Sequence, residues 1–386
     1  MSFPPQKFGR YYVYDKLAVG GMAEIYKARL CGAADFQKTL IIKKLNVGKQ
    51  DRTYLTQLFI DEAHLCASLN HPNIVQTYDF SDLEGHYFIA MEYVEGQDLK
   101  QLLIRVAQQR KMLAIDCTLF LIHELCAALY YLHSKKTPQG EPMDLVHRDI
   151  SPANILLSYK GEVKLADFGI AKNTYRLFKS DSGVRKGKHE YMSPEQASSQ
   201  KLDHRSDIFC VGIILYELLT GRRLFQASSD GEAIHKVQEC NIPQASSINP
   251  RISPRLNQVI HTALQKNPSL RYQDAEQFRK AIFESMHPQT LFGARQELIQ
   301  LINTSFVNEK KEEYEEEKEV RFRLLNLEKM RLSVERTANK EMENNLLEDN
   351  VPSTKINEEL LNNSSKNIIP WLLCGCFFLL WLTAIL

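Results

Sequence analysis

The sequence lacks the marks of several protein classes. Its eight cysteines, at 31, 66, 117, 126, 210, 240, 374 and 376, include no CxxC pair and no His-Cys metal spacing. That excludes a structural zinc module and a disulfide scaffold. Most of them sit in apolar runs and read as reduced core residues of a cytosolic protein. The opening residues, MSFPPQKFGRYYVY, have no apolar run behind a basic start, so no secretory signal is expected. Charge of one sign is also missing: 48 Lys and Arg oppose 47 Asp and Glu, a net of +1. Without a global field, no nucleic-acid partner is expected.

What is present changes along the chain. Between about Tyr11 and Tyr93, strand-like runs (YYVYDKLAV, KTLIIKKLN, IVQTYDF, HYFIAMEYV) surround one amphipathic segment, YLTQLFIDEAHLCASL. This predicts a small sheet with one helix. Beyond residue 97 the apolar residues take helical spacing, as in CTLFLIHELCAALYYLHS and SDIFCVGIILYELLTG, so a second, helix-rich region follows. The expected domain spans residues 11–286.

Residues 287–348 are charged, and from Asn308 they contain no glycine; they read as a helical stalk. A broken apolar seam at Val320, Leu324 and Leu327 leaves open a self-associating coiled coil, and the charge leaves open disorder. Residues 349–367, rich in Asn and Ser, read as a flexible linker. Residues 368–386, IIPWLLCGCFFLLWLTAIL, carry no charge. At about 1.5 Å per residue the run reaches roughly 28 Å, close to the thickness of a hydrocarbon core. It is expected to be a membrane-spanning C-terminal anchor that leaves the preceding domain in the cytoplasm.

Several short motifs carry chemistry. LAVGGMAEIY, residues 17–26, sets small residues between two strand-like runs, where backbone N–H groups could close over nucleotide phosphates. LIIKK, residues 40–44, puts two lysines on opposite faces of one strand, and Lys43 is assigned to the cleft. Nineteen residues later Glu62 lies in the amphipathic helix, able to hold that ammonium. HRDISPANILL supplies Asp149, able to accept a hydroxyl proton, and Asn154, able to ligate Mg²⁺. ADFG supplies Asp167, a carboxylate for the same metal chemistry. YMSPEQ and SDIFCVG follow, with Glu195, Asp207 and Gly212.

Taken in this order, residues 11–286 resemble a protein kinase domain of the bacterial, eukaryotic-like Ser/Thr family. The resemblance implies an α+β fold of two lobes, a small β-rich lobe with one main helix and a larger helical lobe, with ATP and Mg²⁺ between them and protein substrates outside. It makes Ala18, Val19, Gly20, Gly21, Met22 and Ala23 the phosphate loop, Met91 the gatekeeper, and Glu92 to Val94 the hinge. It sets Ile25, Ile41 and Leu156 around the base and Asp98 near the ribose. It implies a Glu195–Arg271 pair, a cap on the catalytic loop from Asp207, and a spine through Cys66, His147 and Phe168.

Five positions depart from the family pattern. Ala18 and Ala23 stand where the phosphate loop has glycine, and Ile41 replaces an alanine. Ser151 stands where the catalytic loop has lysine, while Lys188 stands where a threonine follows Gly187. Lys188 is therefore expected to supply the ammonium near Asp149, the alternative being an exposed loop lysine. Thr174, Ser180 and Ser182 are the phosphorylation candidates, with Arg148 as the arginine that could pair with the phosphate.

Overall fold

Strand residues and turn residues alternate so cleanly in the first ninety positions that they pair into one antiparallel sheet, ordered β1-β2-β3-β4-β6-β5. The strands are β1 (Ser2–Phe8), β2 (Tyr11–Val19), β3 (Ala23–Cys31), β4 (Gln37–Leu45), β5 (Thr77–Leu83) and β6 (His86–Glu92). Between β5 and β6 the chain reverses through Glu84 and Gly85, both left-handed at φ 52° and 77°. A two-residue turn of that kind matches the twist of paired strands. The sheet buries Leu40, Ile42, Phe88 and Ala90 on one face. Its other face packs Ala23, Leu45 and Ile89 on Phe59 and Ala63 of helix α1 (Arg52–Ser68). Phe59 is fully buried, which stabilises the helix-to-sheet contact by about 2–3 kcal/mol.

The computed structural model describes residues 2–20, 22–46, 52–168, 189–286 and 290–348. Gly21, Thr174, Ser180, Ser182, Lys188, the expected linker and residues 368–386 lie outside them. The chain divides into two units, Met1–Leu325 and Asn326–Leu386. The described part of the second unit is helical to Glu348.

The larger lobe is built around helices that are apolar on all sides. In α3 (Ile115–His133) and α4 (Arg205–Thr220) buried residues face every direction. Length and apolarity alone would let α3 cross a membrane, but most of it is enclosed in this lobe. α4 stops at Gly221, whose left-handed φ of 66° lets its N–H return to Glu217 O at 2.8 Å. Around them lie α2 (Leu99–Gln108), α5 (Asp230–Glu239), α6 (Pro254–Ala263) and α7 (Ala275–Phe283). Asp98, Ser229, Ser253 and Asp274 cap these four helices through side-chain oxygens. A second small sheet, β7 (Gly96–Asp98), β8 (Ile155–Ser158) and β9 (Val163–Leu165), lies where the lobes meet.

The charged region opens with two helices, α8 (Thr290–Ser305) and α9 (Val307–Glu348). Ala294, Leu298, Ile302 and Phe306 are buried in the core of the larger lobe. Their four-residue spacing places them on one helical face. Residues 290–306 therefore add to the lobe's packing instead of standing wholly in solvent, because this face outweighs the surrounding charge.

Candidate active site

The pleat of β4 turns Lys43 inward and Lys44 outward. Buried Lys43 donates to Glu62 Oε1 at 2.6 Å and to Asp167 Oδ1 at 3.1 Å. Lys44 instead lies over the ring of Phe8 on the opposite face. Burial on its own would lower the pKa of Lys43, but the charges of Asp167 and Glu62 more than offset it and hold it well above the ordinary lysine value. The pair joins strand, helix and the facing loop in a single contact.

The opposite wall is the loop before β8. Asp207, fully buried in the first turn of α4, accepts the His147 N–H at 2.8 Å and the Arg148 N–H at 2.9 Å. Its Oδ2 also meets His133 Nε2 at 2.9 Å. Burial would raise this carboxyl's pKa, yet the bonds from His133 and the His147 amide hold it below the usual range. These bonds fix Arg148 in a left-handed conformation, φ 66°, that a non-glycine residue rarely takes. Asp149 follows directly, and Asn154 Nδ2 donates to its carbonyl at 2.7 Å and to its Oδ2 at 3.1 Å. With its NH₂ so engaged, Asn154 keeps Oδ1 as the atom it can offer to a metal.

The neighbouring strand brings the last acidic group alongside. Ala166 N–H donates to Asn154 O at 2.9 Å, so Asp167 sits next to Asn154 with φ 57°. Phe168 packs on His147, ring centres 4.8 Å apart. Asn154 Oδ1 and the Asp167 carboxylate form a small set of hard oxygen donors. Such a set suits Mg²⁺, which takes few protein ligands and fills its remaining positions with water and phosphate oxygens.

Between these walls lies a cavity of about 1390 Å³. Ala18, Ile25 and Ile41 roof it, Met91, Glu92 and Val94 line its back edge, and Leu156 and Asp98 lie along its floor. Its apolar lining at Ile25, Ile41, Val75, Met91 and Leu156 suits a flat base such as a purine. Asp98 also accepts the Gln101 N–H at 2.8 Å as the cap of α2, so one carboxylate serves both helix and cavity.

The phosphate loop is only partly turned to this space. Gly20 N–H closes a tight turn on Ala23 O at 2.8 Å, and the Val19 side chain is exposed. Met22 packs on Leu55 and Leu58, and Ala23 on Leu45 and Phe59, so both side chains face α1 rather than the cavity. Any contribution of theirs to a nucleotide comes from the backbone. Ser151 is buried beside Asp149, before the 3₁₀ turn Pro152–Asn154.

Comparison with known proteins identifies this constellation. The family model described as the protein kinase domain matches residues 11–283. The chain belongs to the protein kinase family. Its kinase domain is 38% identical over 277 residues to a protein named tyrosine-protein kinase MasK of Myxococcus xanthus, covering 72% of this chain and 43% of that one. It is 37% identical over 292 residues to the probable serine/threonine-protein kinase SCO3848 of Streptomyces coelicolor, covering 72% and 40%. Among solved structures, the kinase domain of Mycobacterium tuberculosis PknI superposes with a TM-score of 0.54 at 25% identity, covering 74% of this chain and 99% of that one. The chain spans about two fifths of the length of these two curated relatives. Protein kinases use ATP and Mg²⁺, which fits the donors and the cavity described above.

Two features of the kinase domain escaped the sequence reading. The hinge residue Glu92 pairs with Lys164 at 3.0 Å, and Lys164 also donates to Pro72 O, which braces the hinge against β9. The cavity's outer wall is made partly by α9, through Glu312, Glu316 and Phe322. Two cues for the second feature were in the sequence. Lys27 shares the face of Ile25 by strand alternation, and Glu309, Glu313 and Glu317 recur at four-residue steps.

Proposed function

We propose that the protein is an ATP- and Mg²⁺-dependent kinase that transfers the γ-phosphoryl group to serine or threonine hydroxyls of proteins. The observation that carries this reading is one cleft holding the buried Lys43–Glu62 pair, Asp167 within reach of Lys43, and Asp149 bonded to Asn154. Each role follows from charge and place. Lys43, held by Glu62, binds the α- and β-phosphates. Asn154 and Asp167 hold Mg²⁺, which neutralises phosphate charge when bound. Asp149 orients the acceptor hydroxyl and takes its proton as the oxygen attacks the γ-phosphorus and ADP departs with the electrons of the broken P–O bond.

Ser151 stands where the family has a lysine, and Lys188, outside the described residues, is proposed to supply that cation near Asp149 with Ser151 as its hydrogen-bond partner, the alternative being an exposed lysine and transfer without a second ammonium. Activity in Lys188→Ala equal to wild type would refute this, and Ser151→Lys with Lys188→Thr should restore a large part of what Lys188→Ala loses. Phosphorylation of Thr174, Ser180 or Ser182 is proposed to activate the enzyme by pairing with Arg148. Residues 368–386 are proposed to hold it at the membrane, with the kinase domain in the cytoplasm.

The test of the main reading is transfer of label from γ-labelled ATP with Mg²⁺ to the chain itself or to a generic protein acceptor. Label should appear with wild type and fall at least about 100-fold with Asp149→Asn, which keeps the shape but loses the base. Equal labelling of the two would reject it. A tyrosine-directed or dual-specificity activity is a second reading, favoured by the name of the Myxococcus relative. Phosphoamino-acid analysis of the labelled chain decides between them.

A further inference from the structure

The start of α9 is an acidic run, NEKKEEYEEEKE, that a sequence reading leaves in solvent. Taken alone it is a poor helix, because Glu309 and Glu313, Glu312 and Glu316, Glu313 and Glu317, and Glu315 and Glu319 are like-charge pairs four residues apart. Within the first unit it meets the opposite charge it needs. Glu309 bonds to Arg105 of α2, and Lys310 lies over the ring of Tyr159, both in the larger lobe. One turn on, Glu313 accepts from the hydroxyl of Tyr93 in the hinge.

A further turn on, Glu317 accepts from Tyr14 at 2.6 Å and from Thr39 at 2.8 Å, and it pairs with Lys27 at 3.0 Å and with Arg29, all in the smaller lobe. Val320 and Leu324 then bury themselves on Tyr14. Burial and the neighbouring carboxylates push both phenols above their ordinary range, so Tyr14 and Tyr93 stay protonated donors.

Order along the helix matters here. From Glu309 to Leu324 it rises about 22 Å and touches the larger lobe, the hinge and the smaller lobe in turn. A helix is stiff along its axis, so the lobes cannot swing apart without breaking contacts at one end. Glu312, Glu316 and Phe322 meanwhile face the mouth of the cavity that Ile25, Ile41 and Leu156 line. Lys27, which lines the same cavity, is only 2% exposed under the helix.

We propose that Tyr14, Lys27, Arg29, Thr39, Tyr93 and Arg105 form a docking site for the chain's own acidic helix, Glu309–Glu317, whose occupancy ties the lobes across the cleft mouth and slows nucleotide exchange. The ligand class is an acidic helix in cis. The effect on exchange rests on the reading of the cleft as a nucleotide site, whereas the docking does not.

The test uses the full chain. Release of a fluorescent ADP analogue, chased with excess ATP, should be about tenfold faster in Glu313→Gln/Glu317→Gln than in wild type, because two charge-assisted anchors are lost. Tyr93→Phe removes one hydroxyl and leaves the hinge backbone; if the double variant does not fold, about threefold faster release is expected from it. Acylation of Lys27 by an amine reagent, read by mass spectrometry, reports docking without nucleotide, and it should be slow in wild type and faster in the variants. Equal Lys27 labelling in wild type and variants overturns the docking. Unchanged or slower release, with Lys27 exposed, overturns its control of exchange.

Discussion

Replacing Arg271 with alanine should destabilise the kinase domain severely, and the size of the effect can be worked from its partners. The guanidinium is fully buried, and its donors are all used: two bonds to the Glu195 carboxylate at 2.7 and 2.8 Å, and one each to Gln265 O, Arg205 O and Lys266 O. Burial would raise the pKa of Glu195, but these bonds keep it lowered, so the carboxylate is ionised in the folded protein. Arg271→Ala leaves that charge buried with Ser206 Oγ as its neighbour at 2.6 Å. It also strips three carbonyls of a donor. Breaking a buried pair from one side costs about 3–5 kcal/mol. For a domain of this size that is a fall in melting temperature on the order of 10 °C. Arg271→Lys keeps the charge but offers three donors without the fork, so about half the loss is expected. Circular dichroism melts of wild type and the two variants at neutral pH give the numbers. A shift below about 2 °C for Arg271→Ala would refute the reasoning, since it would mean that the carboxylate finds water or another cation.

Three further outcomes are expected. Lys43→Met should lower transfer at least about 100-fold while leaving the chain folded, as read by kinase assay beside a thermal melt, because it deletes the charge that Glu62 and Asp167 share. Glu217, buried beneath Tyr191 and Arg223, has its pKa raised by burial from 4.5 to about 7, so the folded state binds the proton more tightly than the unfolded chain. Its stabilising contribution is full below pH 4.5 and is lost as pH rises to 7; the melting advantage of wild type over Glu217→Gln should therefore shrink across that window, by up to about 3 kcal/mol in stability. Removing residues 368–386 should move the protein from the membrane fraction to the soluble fraction on carbonate-washed fractionation of expressing cells, and persistence in the membrane would reject the anchor.

How far the sequence carries depends on how local each cause is. The two lobes were legible because the apolar period changes from two to 3.6 near residue 97, and Lys43 could be told from Lys44 by the pleat alone. Asp149 and Asn154 lie five residues apart on one loop, so their bond is a local matter. The left-handed Arg148 and Asp167 were not legible, since nothing in a non-glycine side chain announces a positive φ that Asp207, more than fifty residues away, enforces at Arg148. Nor was the packing of α8: its apolar face at Ala294, Leu298 and Ile302, continued by Phe306 just beyond it, was read through the charges beside it. The acidic run failed for the same reason in a stronger form. The spacing of the glutamates and the strand face of Lys27 were in the sequence, but a carboxylate at 317 reads as solvated until the fold sets Arg29 and Lys27 opposite it.

The cleft is consequently tied in two places by different means. Inside, Lys43 joins Glu62 of the smaller lobe to Asp167 from the larger one, so this tie is made of the groups proposed to handle phosphate and metal. Any cation that Asp167 ligates competes with Lys43 for its oxygens, which makes the inner tie responsive to what the cleft contains. The outer tie, from Arg105 through Tyr93 to Lys27 and Arg29, uses none of those groups. It can therefore keep the lobes in register while the inner contacts rearrange during turnover. It also responds to a different input, because a competing acidic segment or tension on the helix acts on Glu313 and Glu317 without touching Lys43, Glu62 or Asp167. A loss of the inner tie should lower the rate of transfer at saturating ATP, whereas a loss of the outer tie should change the rate at which nucleotide enters and leaves. Measuring both rates in Lys43→Met and in Glu313→Gln/Glu317→Gln separates the two, and a coupled change in both variants would show that the ties act as one.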